Sequence, residues 1–209
     1  MADRRNGTEA PPTTTTVRGD DWYGRTLSST DQFANVLFTD CDFTEVDNEG
    51  AVFTECTFRN VKFNVSKHTD SAFVNCTFTR CNFFDVEFLR CKAMGSMFDG
   101  CTWDIVKIVG GDWSFVGLPG ADLSSASIVG TRMREIDLMF AKCAGATLRD
   151  LDLSGAWLHK ADFTGTDLRG SDLSALDPQT ADIAGAIITL DQTLTIAEGL
   201  RLDVRPSDL

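Results

Sequence analysis

Seven cysteines and two histidines are the side chains of this sequence best suited to metal binding, disulfide formation or nucleophilic attack, and their spacing decides among those uses. Cys41, Cys56, Cys76, Cys81, Cys91 and Cys101 are separated only by multiples of five, and the two-residue gap of a CxxC metal or redox motif does not occur among them. A grid of this kind reflects a structural period and not a coordination sphere. His68 sits at a central position of the same five-residue period, two residues beyond the cysteine positions, where a hydrogen-bonded buried imidazole is expected. His159 lies off it, and no third partner completes a site. No nucleophile–base pair, phosphate-binding loop or ligand cluster can be assembled, so neither an enzyme nor a metal or other cofactor is expected.

The elements that carry these side chains must share their period. Stepping by five from Phe33 to Ile188 gives 32 positions, of which 27 hold Phe, Trp, Leu, Ile or Met, against roughly a quarter from average composition. Two residues before each such centre the chain is small or β-branched, as at Cys41, Val46, Ala51, Cys56, Val61, Cys76, Val86, Ala121 and Ala161. A five-residue apolar period fits neither the 3.6 of a helix nor the 2.0 of a strand. It requires a solenoid, in which each coil buries its apolar face by stacking on its neighbours. Asn48, Ala93, Cys143 and Pro178 depart from the rule at centres and are expected to mark loosened coils or bends.

Ala121-Asp122-Leu123, Ala161-Asp162-Phe163 and Ser171-Asp172-Leu173 follow the consensus A(D/N)LXX, and the chain resembles the pentapeptide repeat family on these residues. The resemblance implies an all-β fold, a right-handed quadrilateral β-helix with four pentapeptides to each square turn, here with a short C-terminal helix. Cysteines twenty residues apart, such as Cys56 and Cys76 or Cys81 and Cys101, then stack with parallel side chains and are expected to be packed thiols. Residues 25–190 form the repeat region in this reading. Residues 1–24, with Pro11, Pro12 and balanced charge, are expected to be a disordered tail. Residues 191–209 supply a helix and tail, with Asp191 as N-cap and Gly199 as its stop. So short a helix needs a partner. Leu190, Leu194, Ile196 and Ala197 are the candidate dimerisation residues, and capping of the chain's own last coil is the alternative.

Formal net charge is −12 over 209 residues, which argues against direct contact with nucleic acid or an anionic membrane. The N-terminus lacks an apolar signal core and no run of eighteen apolar residues occurs, so a cytoplasmic protein is expected. With twenty residues to a turn, outward charges sort onto four walls. One wall carries Asp42, Glu45, Asp85, Asp104, Asp122, Asp162 and Asp182 against Lys62 and Lys142, a balance of −5; the others come to −2, −1 and −1. A single-signed stripe steers a cationic partner toward itself. The shaft still has less than about half the axial charge density of duplex DNA, which carries one charge per about 1.7 Å, so outward apolar residues such as Phe84, Leu89, Met94, Met139 and Trp157 must contribute to any contact.

Within the family, the segments from Ala51 to Phe58, Lys67 to Phe78 and Cys91 to Phe98, with the terminal Leu190-Asp191-Gln192-Thr193-Leu194, are similar to the MfpA/Qnr group. That resemblance implies a homodimer that binds DNA gyrase, a type II topoisomerase, imitates its DNA and protects it from quinolones or natural-product poisons. No small-molecule substrate is implied. As in the MfpA branch, and unlike many Qnr proteins, no insertion is expected to break the five-residue register, so no projecting loop is offered as a gyrase-contacting element. A generic scaffold or adaptor for another protein is the alternative reading.

Overall fold

Every fifth residue turns a corner. The computed structural model describes residues 9–205, and in it positions 35, 40, 45, 55, 60, 65 and others through 160 hold φ between +51° and +61°, with glycine taking the same place at 50, 95, 100 and 110 among others. Many corners close as β-turns in which the residue two before a centre donates its N–H to the preceding centre, as Ser66 does to the Phe63 carbonyl at 2.9 Å. Between corners lie short extended sides whose N–H and C=O groups pair with the coils above and below.

The sides stack into parallel walls with partners twenty residues apart. One wall is a seven-stranded sheet ending at Thr147–Arg149, another a five-stranded sheet ending at Met97–Asp99, and a third a three-stranded sheet of Gln32–Ala34, Val52–Thr54 and Ala72–Val74. The fourth wall pairs through single bridges, Asp42 with Lys62, Lys62 with Asn82, and Asn82 with Thr102. The expected right-handed quadrilateral β-helix is the fold found.

Centres point inward and fill the shaft. Phe33, Phe53 and Phe73 stack at 4.9 Å between successive rings, Phe58 lies 4.7 Å from Phe78, and Phe78 lies 4.5 Å from Phe98. Rings on adjacent walls meet edge to face, as Phe53 and Phe58 do at 5.5 Å. Such pairs contribute about 0.5–1.5 kcal/mol each beyond the area they bury.

The N-terminal expectation is corrected. Within the segment expected to be a tail, Thr15–Arg18 pairs in parallel with Val36–Thr39, and Trp22 is buried against Phe43 at 4.7 Å. The first coil therefore begins well before residue 25. It was hidden because six residues, not five, separate Leu27 from Phe33. The extra residue sits in the turn from Ser28 to Asp31, where Asp31 N–H donates to the Ser28 carbonyl at 2.9 Å and the Asp31 carboxylate accepts from Ser28 N–H at 2.8 Å. Partners of this coil are consequently 21 apart, Val17 with Phe38 and Leu27 with Asn48. The Arg25 guanidinium lies 5.0 Å from the Trp22 ring at this end of the shaft. The rest of the expected tail, residues 1–8, lies outside the described residues.

At the other end a helix, Leu190–Gly199, covers the last coil. Its N-cap is Thr189 and not Asp191: the Thr189 hydroxyl accepts from Gln192 N–H and the Gln192 side chain accepts from Thr189 N–H, a capping box. Asp191 occupies the first turn, where its charge favours the helix dipole. Gly199 lies so close to Pro178 that a Cβ there would stand 2.7 Å from the proline Cδ.

Candidate functional site

The structure brings the acidic residues onto one wall. Asp42, Asp122, Asp162 and Asp182 belong to a single bridge-paired column that also contains Lys62 and Lys142; Asp104 lies across the wall, and Glu45 and Asp85 occupy its corner edge. Asp21, paired with Asp42, extends the column into the first coil. Sequence reading missed it through the one-residue offset, although Val17, Trp22 and Leu27 already repeat at five.

These aspartates also hold the corners. Asp42, Asp122, Asp162 and Asp182 each accept, through Oδ1, the N–H two residues on: Thr44 at 2.9 Å, Ser124 at 3.2 Å, Thr164 at 2.9 Å and Ala184 at 3.1 Å. Hydrogen bonds from Ser124 hold the Asp122 carboxyl below the usual carboxylate range, and Thr164 does the same for Asp162. For Asp42, partial burial opposes ionisation, but donors on Thr44 and the Lys62 ammonium outweigh it and lower its pKa. These three groups are fully ionised at neutral pH.

A corner-holding aspartate is common to all the walls, so it does not by itself make this wall acidic. On the other walls Asp112 pairs with Arg132 at 3.5 Å, Asp152 with Arg134 at 2.5 Å and Asp167 with Arg169 at 2.6 Å, while Asp137, Asp172 and Asp177 hold corners without an ion pair among the described residues. On this wall Lys62 lies 3.7 Å from Asp42, whereas Asp85, Asp104, Asp122, Asp162 and Asp182 form no ion pair among the described residues. Unpaired, solvent-facing carboxylates project more field than paired ones.

The four candidate dimerisation residues separate. Leu190 and Leu194 are 87% and 56% exposed, near exposed Leu200, Leu202 and Val204 in sequence. Ile196 turns inward onto the last coil with Leu168, Leu173 and Ile188, and Ala197 is half-buried. Ile196 is thus a capping residue. Gln192 joins it: its side-chain amide donates to the Leu168 and Ser171 carbonyls at 2.8 and 2.7 Å, satisfying acceptors of the terminal coil.

The thiols are absorbed by the core. All seven cysteines are free, and thiols of Cys76, Cys81 and Cys91 donate to the carbonyls of Phe53, Phe58 and His68. Burial pushes Cys91 up to about 11 and Cys143 to about 12, which keeps the nucleophilic thiolate scarce at neutral pH. Among the described residues, no group of three or more His, Cys, Asp or Glu is placed to hold a metal ion, and no helix is long and apolar enough to cross a membrane.

Comparison with known proteins agrees with this architecture. The pentapeptide repeats family matches in eight copies over residues 32–64 and 136–174. The pentapeptide repeat protein MfpA of Mycolicibacterium smegmatis is 41% identical over 51 residues, 24% of this chain and 27% of the relative, so the match spans about a quarter of that protein. A trypsin-treated form of QnrB1, a plasmid-mediated fluoroquinolone resistance protein, superposes with a TM-score of 0.55 at 18% identity, covering 93% of this chain and 99% of the other. Full-length QnrB1 gives 0.48 at 21% identity over 88% and 99%. The residue-level period, the eight matched copies and the shared solenoid together show that the chain carries pentapeptide repeats and folds as a β-helix of the kind seen in QnrB1.

Proposed function

We propose that this protein is a cytoplasmic, DNA-mimicking homodimer that docks its acidic wall on the basic DNA-binding surface of DNA gyrase and modulates the enzyme or protects it from quinolone or natural-product poisons. The observation that carries this reading is the column of unpaired carboxylates on one wall of a rod, Asp122, Asp162 and Asp182 with Asp85 and Asp104 beside them. The similarity to MfpA and the QnrB1-like fold support it. Gyrase supercoiling assays with and without a fluoroquinolone test it. Inhibition or rescue at micromolar dimer is expected, and neither effect at that concentration rejects it.

The corner geometry makes charge separable from fold. Asparagine keeps an Oδ1 able to accept the same N–H, so Asp122→Asn, Asp162→Asn and Asp182→Asn together are expected to leave the melting temperature within a few degrees while weakening gyrase binding on the order of tenfold, with a shallower salt dependence. The matching alanine variant loses the turn bonds as well, at about 1 kcal/mol each. Unaltered affinity and salt response in the asparagine variant would remove the acidic wall from the contact.

Leu190 and Leu194 face solvent one helical turn apart, on the outer side of a helix whose inner side is already used by Gln192 and Ile196. Replacing both by glutamate is expected to shift the protein from dimer to monomer in light scattering at micromolar concentration. Because Thr189 and Gln192 still cap the helix, its circular dichroism is retained. A dimer that persists unchanged places the interface elsewhere.

A further inference from the structure

Most left-handed corners are occupied by Gly, Asn, Asp, Glu or Arg, but Val65 and Ile105, both at φ +59°, are β-branched. A branched Cβ in this region crowds the following carbonyl, so these are unfavourable choices for the backbone. The corners are not free to relax. Val65 N–H donates to the Phe84 carbonyl at 2.8 Å, and Ile105 N–H donates to the Ser125 hydroxyl at 3.0 Å. Nor is the cost offset by burial, since Val65 is 40% and Ile105 48% exposed.

Both residues stand on one edge of the acidic wall, two coils and therefore about 10 Å apart. Phe84, 42% exposed, lies in the coil between them, beside Asp85. Asp104 follows, its carbonyl accepting from Asp85 N–H at 2.8 Å. Three large apolar groups in three successive coils thus alternate with carboxylates that have no ion pair among the described residues. Scattered exposed apolar residues are ordinary; a run in which two of three members, Val65 and Ile105, are held on unfavourable backbone is not explained by folding.

From this juxtaposition we infer that Val65, Phe84 and Ile105 are anchor residues for a protein partner whose docking segment presents apolar side chains flanked by lysine or arginine. Pure electrostatic imitation of DNA would need the carboxylates alone; this edge adds apolar contact and fixes axial register, since anchors two coils apart admit few alignments. The inference rests on the acidic wall being the docking face.

Glycine fits a left-handed corner without strain, so Val65→Gly with Ile105→Gly separates fold from contact. The melting temperature is expected to stay or rise, while binding to purified DNA gyrase weakens on the order of tenfold or more. Equal affinity in the variant overturns the anchors and leaves the charge-based reading standing. A fall in melting temperature of more than a few degrees also overturns them, because the side chains would then serve the fold. Should the unaltered protein fail to bind gyrase, the function proposed above fails, and the edge is judged by nuclear magnetic resonance titration with a synthetic peptide of alternating leucine and lysine. Saturable shifts at Val65, Phe84 and Ile105 that disappear in the glycine variant sustain the inference; no shift at these residues overturns it.

Discussion

Acidification from pH 7 to pH 4 is expected to lower the stability of this protein by about 3 kcal/mol through His68 alone, a slope of about 1.4 kcal/mol per pH unit once below the unfolded pKa. The imidazole is fully buried, stacked 5.0 Å from Phe88 with Phe73 edge-on at 5.3 Å, and burial depresses its pKa from 6.5 to about 3. Between those values the unfolded chain binds a proton that the folded chain refuses. The stability associated with neutral His68 is therefore complete above pH 6.5 and is lost progressively as pH falls toward 3. Carboxylates titrate over part of the same range, so the measurement is a difference: unfolding by denaturant at pH 7 and pH 4 for the unaltered protein and for His68→Gln, which keeps polar groups but does not titrate. The stability of the unaltered protein relative to the variant should fall by about 3 kcal/mol at the lower pH. A difference independent of pH would show that the imidazole is solvated and titrates as it does in the unfolded chain.

The tautomer follows from its neighbours. Asn48 Nδ2 lies 3.1 Å from Nδ1, and the Asn48 side-chain Oδ1 accepts from Ala51 N–H at 3.0 Å, so the Asn48 side-chain amide donates and Nδ1 accepts. Nε2, 3.0 Å from the Ser66 hydroxyl, then carries the hydrogen. A second proton on Nδ1 would face the Asn48 amide hydrogen, which opposes protonation beyond the cost of burying charge. Polar centres at two successive coils are tolerated because each satisfies the other.

The repeat and its core were legible because a five-residue period is enforced at every coil: a centre such as Phe58 or Leu138 has one place to go once its neighbours are set. Local interruptions were harder to read. One extra residue between Leu27 and Phe33 put Trp22 out of frame, and its partnership with Phe43 depends on a turn that spacing alone does not reveal. The true cap, Thr189 with Gln192 three residues later, was visible as a pattern, but Asp191 competes for the assignment because an acidic side chain suits both the cap and the first turn. Which face of the helix meets the coil depends on the angle at which the chain leaves Ile188. That angle is set by tertiary contact, so Ile196 could not be separated from Leu190 beforehand. The acidic wall was legible as a sum of charges; that its aspartates also close corners, and that this wall lacks arginines such as those pairing Asp112, Asp152 and Asp167 elsewhere, emerged only from geometry.

Phe58→Ala is expected to cost about 3–5 kcal/mol, the range for emptying a large buried aromatic site. The ring is wholly buried, sandwiched between Phe38 at 5.0 Å and Phe78 at 4.7 Å, with Phe53 and Phe63 meeting it edge-on at 5.5 Å. A solenoid couples each coil chiefly to its neighbours, so a defect here weakens the stacks on both sides of it. The same column continues as Phe98, Leu118, Leu138 and Leu158, which supplies an internal control. Phe98→Leu moves the boundary between ring and aliphatic packing by one coil and should cost less than Phe58→Leu, which interrupts a continuous stack. Trp22, Trp103 and Trp113 report on the aromatic half by fluorescence, and denaturant unfolding followed through them gives each difference directly. A loss below about 1 kcal/mol for Phe58→Ala would mean that the shaft relaxes around the missing ring. The aromatic columns would then be interchangeable filling, and the N-terminal coils could not be the rigid part of the rod on which the Val65, Phe84 and Ile105 edge is displayed.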